Sequence, residues 1–66
     1  MNGNDQKVRR FLDEKAASAV LSVSTSTLQS WRSLGRGPGY FKLGKMVRYD
    51  LDEILSFADR HKVDPR

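Results

Sequence analysis

Cysteine is absent from the chain, and proline occurs only at Pro38 and Pro65. Without thiols there is no disulfide framework and no thiolate metal site. No stretch approaches the roughly 18 consecutive apolar residues of a membrane-spanning helix. The opening MNGNDQKVRR is polar, without the apolar segment of a secretory signal, so a soluble cytoplasmic protein is expected. The single histidine, His61, stands among cations and lacks partner ligands of metal-site spacing. Acidic residues are missing from the whole of 22–49, which carries Arg32, Arg36, Lys42, Lys45 and Arg48. The net charge of +4 is therefore concentrated there. Such a block suits a partner with repeated negative charge, nucleic acid before membrane headgroups.

With 66 residues, the chain can form one small domain with a small core and modest stability. Residues 1–10 hold few apolar groups and are expected to be a disordered basic tail, with the domain at 11–62 and a flexible tail at 63–66. Phe11 and Leu12 enter as a short strand or bridge. Asp13 can cap a helix over about 14–21, with Glu14 in its first turn where negative charge suits the helix dipole. Ala16, Ala17, Val20 and Leu21 recur at helical spacing.

A second helix follows. Ser24 is a good N-cap, Val23 and Leu28 have the spacing of a hydrophobic staple, and Gly35 is a natural C′ residue. Leu28 and Trp31 share one apolar face. Thr25, Ser26, Gln29, Ser30 and Arg32 form the other, the candidate for reading a DNA groove. Trp31 could stack on a base, but its place opposite the polar strip assigns it to the core. Two helices joined by a short turn make a helix-turn-helix.

Pro38 between glycines then marks a tight loop, and YFKLGKMVRY reads as a hairpin. A three-residue turn at 44–46 pairs Leu43 with Val47 and Phe41 with Tyr49, which keeps the apolar face intact. It also sets Lys42 opposite Arg48, a repulsion that a polyanion would relieve. The alternative is an edge hairpin kept soluble by its cations. Asp50 opens a last helix with the spacing of a capping box to Glu53, and Leu51, Ile54, Leu55 and Ala58 form its apolar stripe. The expected core is Val20, Leu21, Leu28, Trp31, Phe41, Leu43, Val47, Tyr49, Leu51, Ile54 and Leu55. Asp50, Asp52 and Glu53 are explained by the helix start, no phosphate-binding G-x-x-x-x-G-K-[ST] is present, and no catalytic constellation emerges. The expectation is a non-enzymatic α+β domain without cofactor or metal.

The order helix, turn, helix, GRGP loop, basic hairpin and capped helix resembles the small excisionase and AlpA-like proteins related to the MerR DNA-binding domain. The resemblance runs from about Phe11 to Phe57, on FLDEKAASAVLSVSTSTLQSWRSLGRGPGYF and KLGKMVRYDLDEIL. It implies a winged helix-turn-helix, with Thr25, Ser26, Thr27, Gln29, Ser30 and Arg32 at the major groove. Lys42, Lys45 and Arg48 would form the wing, with Arg36 as a further backbone contact.

It also implies double-stranded DNA and an integrase or recombinase as partners. The protein would be a monomer in a bacterial cytoplasm whose copies line up head to tail on repeated sites. The alternatives are an AlpA-like transcriptional regulator and, from another class, a protein-interaction module. Two departures from the family pattern stand out. Ser22 occupies the inter-helix position where glycine is usual, and Gln29 and Ser30 replace larger reading side chains. Five phosphate contacts would give log K against log salt a slope of about −4 to −5.

Overall fold

A computed structural model describes residues 8–65. The part of the expected basic tail at 1–7, and Arg66, lie outside the described residues. The elements run β1 (Phe11–Leu12), α1 (Glu14–Leu21), α2 (Thr25–Ser33), β2 (Phe41–Leu43), β3 (Met46–Asp50) and α3 (Leu51–Arg60). The strands form one antiparallel sheet in the order β1-β3-β2. This is a small α+β winged helix-turn-helix. The engaged backbone starts ahead of the expected boundary at Phe11, because the Arg10 carbonyl accepts from Leu51 N–H at 2.9 Å.

Each helix begins where a short polar side chain can satisfy an orphan amide. Asp13 Oδ1 accepts from Ala16 N–H at 2.8 Å, Ser24 Oγ from Thr27 N–H at 3.0 Å and Asp50 Oδ2 from Glu53 N–H at 3.3 Å. The ends of α1 and α2 are also alike. After α2, Gly35 N–H reaches Arg32 O and Arg36 N–H reaches Trp31 O. After α1, Ser22 N–H reaches Ala19 O and Val23 N–H reaches Ser18 O. Both are the paired bonds of a Schellman motif, whose turning residue adopts the left-handed conformation. Gly35 does so at φ +71°, and Ser22 does so at φ +56°, where a Cβ is a strain.

The fully buried centre is Ala17, Leu28, Tyr49 and Ile54, with Leu12, Leu21, Val23, Trp31 and Val47 packed around it. Gly37 lets the loop close on Trp31: a Cβ there would lie 2.9 Å from both Trp31 Cβ and Cε3. Phe57 covers the ring from α3, with centroids 5.6 Å apart.

Several core expectations are corrected. Val20 is 44% exposed and Leu55 47%. Helix α1 instead buries Ala17 and Ser18, small residues that permit close helix packing, and this turns Val20 outward. On α3, Leu51, Ile54 and Phe57 face inward, so Leu55 and Ala58 fall on the outer side.

The hairpin register is the larger correction. The turn has two residues, Gly44 and Lys45, and the pairs are Leu43 with Met46, Lys42 with Val47 and Phe41 with Arg48. Gly44, at φ +65°, takes the first central position, as glycine does in a type II′ hairpin turn. A one-residue change of register moves every β2 side chain to the other face. Lys42 therefore lies on the face of Val47 and Tyr49, and the expected Lys42–Arg48 repulsion disappears. Phe41 and Leu43 leave the core for the outer face. There Phe41 meets Phe11 edge-on at 5.2 Å, and Arg9 lies over its ring at 5.3 Å. Phe11, Leu43 and Met46 remain substantially exposed on that face.

Candidate nucleic-acid interface

Because Leu28 and Trp31 pack inward, the outward strip of α2 consists of Ser26, Gln29, Ser30 and Ser33, all exposed. Ser33 was missed in the sequence, although it stands seven residues after Ser26 and four after Gln29, on the same face. Thr25 and Thr27 are half-buried beside this strip. Thr27 belongs to the cap, with its hydroxyl 3.0 Å from Ser24 Oγ.

Arg32 does not join the outward strip. Its guanidinium turns toward the sheet, where one nitrogen, Nη1, donates to Tyr49 OH at 2.8 Å and to Glu14 Oε1 at 2.9 Å. The side chain is 21% exposed and also lies over the Tyr40 ring, 5.7 Å from its centroid. The Tyr49 hydrogen bond raises the Arg32 pKa above the usual arginine value; partial burial opposes this and the Glu14 hydrogen bond adds to it. Sequence periodicity could not separate this arginine from the groove face. It stands one residue after Trp31 and four after Leu28, at the border between the two faces.

The cations expected in the wing lie where a partner can reach them. Lys42 and Lys45 are exposed, as is Arg36 at the end of α2. Arg48 is half-buried along its own strand, donating to Val47 O at 2.8 Å and contacting Met46 Sδ at 3.3 Å. Among the described residues, ion pairs join Arg32 to Glu14 and Lys62 to Asp64. Arg36, Lys42, Lys45 and Arg48 have no carboxylate partner there. Between the start of α1, Thr25 and the wing lies an open concavity of ≈ 460 Å³, bordered by Lys15, Lys45 and Arg48. Lys15 was not singled out in the sequence. The nearby Asp13 caps α1, and Glu14 is hydrogen-bonded to α2, so each carboxylate already has donors.

No group of His, Cys, Asp or Glu suited to a metal ion occurs among the described residues. None of their helices is long and apolar enough to cross a membrane. A polar helix face beside a cationic two-stranded wing, with no carboxylate of the described residues paired to the wing cations, defines a DNA-binding winged helix-turn-helix. The chain belongs to the helix-turn-helix domain family, whose model matches residues 11–62. Fold and family together support sequence-specific binding of DNA. A comparison with curated proteins gave no match.

Proposed function

We propose that this protein is a weakly base-reading double-stranded DNA-binding protein that acts as an excisionase of a phage or mobile element. It binds beside an attachment site, bends it and directs an integrase toward excision. The observation that carries this reading is the division of labour between helix and wing. The outward strip of α2 offers hydroxyls and one amide, Gln29, but no cation. The cations lie in the wing and at the end of α2. Gln29 can make a bidentate contact to adenine, worth about 1–3 kcal/mol of discrimination. That is too little to select a site as a single copy. Adjacent copies and sequence-dependent DNA bending supply the remaining selectivity, as expected for an architectural protein.

Footprinting on DNA flanking the gene tests the proposal. Protection of repeated sites near a recombination junction, together with stimulated excision by the neighbouring integrase, is the expected result. Protection confined to a promoter would instead support the AlpA-like regulator. The exposed outer sheet face of Phe11, Leu43 and Met46 favours one further reading, a protein-interaction module. Absence of any DNA binding at low salt would turn the assignment to that module.

A further inference from the structure

We propose that Glu14, on α1, is a specificity-determining positioning residue: its carboxylate orients the Gln29 amide for contact with an adenine. The proposal rests on the DNA-binding reading above and assigns the geometry that makes one base contact possible. Glu14 Oε2 accepts from Gln29 Nε2 at 2.5 Å, and Glu14 Oε1 accepts from Arg32 Nη1 at 2.9 Å. The same Arg32 nitrogen donates to the hydroxyl of Tyr49, a residue with no exposed surface. The connection therefore runs from the buried core through Arg32 and Glu14 to a side chain on the outward face of α2.

An ionised carboxylate can only accept. The edge of the Gln29 amide turned toward Glu14 must be its NH2, and the carbonyl oxygen must point away. One amide hydrogen is held by Glu14, which leaves the second hydrogen and the carbonyl oxygen for a base. Adenine matches that pair, since its N7 accepts and its N6 donates in the major groove. An unheld glutamine on an exposed helix face rotates freely and can present either edge. The carboxylate removes that choice, and Arg32 holds the carboxylate in place. Glu14 also neutralises Arg32 beside the groove-facing strip, so that this arginine adds no net positive charge for phosphate contacts made without the matching base.

Selection of binding sites from randomised duplex DNA tests this with the wild-type chain, Gln29→Ala, Glu14→Ala, Glu14→Gln and the Gln29→Ala/Glu14→Ala double variant, each also melted thermally. The wild type should enrich a motif containing an A·T position that Gln29→Ala loses. Glu14→Ala should weaken preference at that same position about tenfold, keep the other positions and gain affinity for random DNA. The double variant should lose nothing further at that position. Glu14→Gln, whose carbonyl still accepts from the amide, should keep part of the preference.

Glu14→Ala retaining the A·T position while Gln29→Ala loses it would overturn the proposal. So would equal weakening of all positions by both Glu14 variants, the signature of a merely structural role, or a Gln29→Ala motif identical to the wild type. A wild-type chain that enriches no sequence would overturn the DNA-reading function and this proposal with it.

Discussion

Replacing Arg32 by alanine separates a structural arginine from a base-reading one. In the folded protein, both hydrogens of Arg32 Nη1 are engaged, one by Tyr49 OH and one by Glu14 Oε1. Hydrogen bonds to charged groups contribute about 1.5–3 kcal/mol, and an uncompensated buried hydroxyl costs a similar amount. The Tyr49 bond dominates because that residue is fully buried. The pair with Glu14 is worth at most about 1 kcal/mol, since each side chain is about one-fifth exposed. The two effects share one nitrogen and do not simply add, so a loss of about 2 kcal/mol is expected. In a domain of this size that lowers Tm by roughly 8–16 °C. Thermal melts by circular dichroism, with fluorescence of Trp31 as a second probe, would measure it. A base-reading arginine behaves differently: it weakens discrimination at one G·C pair by about 1–3 kcal/mol and leaves Tm alone. An unchanged Tm in Arg32→Ala would refute the structural assignment.

Three further predictions follow from local geometry. Ser22→Gly should stabilise the domain by about 0.5–1 kcal/mol, because relief of left-handed strain exceeds the added freedom of the unfolded chain; a urea midpoint that falls would contradict this. Gly37→Ala should cost about 2–4 kcal/mol through left-handed strain and collision with Trp31, seen as a lower Tm and altered tryptophan emission. Lys42→Ala with Arg48→Ala should weaken binding to cognate and random DNA alike and flatten the salt slope by about 2, with the melting curve kept; loss confined to one sequence would show that these side chains read bases.

The helix boundaries were legible because capping is local. Asp13, Ser24 and Asp50 each bond an amide three residues on, so sequence spacing alone identifies them. Ser22 stood out only through the resemblance, as a departure from the usual glycine; its positive φ is seen in the structure. The hairpin register was not legible from β2 and β3 taken by themselves. Their pattern favoured Phe41 on the core face, but Phe11 arriving on β1 gives Phe41 an apolar partner outside, and Gly44 suits the shorter turn. Val20 and Leu55 show the same limit: helical spacing identifies a stripe, but the partner helix decides which edge of it is covered. Arg32 reads as groove-facing from α2 alone because its acceptors, Glu14 and Tyr49, come from α1 and β3. No spacing within α2 reveals them.

The affinity of the protein for duplex DNA as a function of salt tests the central claim most directly. With Arg32 held in the fold, Arg36, Lys42, Lys45 and Arg48 remain as the proposed phosphate contacts. The slope of log K against log salt should then be about −3 to −4, shallower than five contacts would give. A slope near zero, or no binding at low salt, would contradict the assignment of the wing and the end of α2 as a DNA-binding surface.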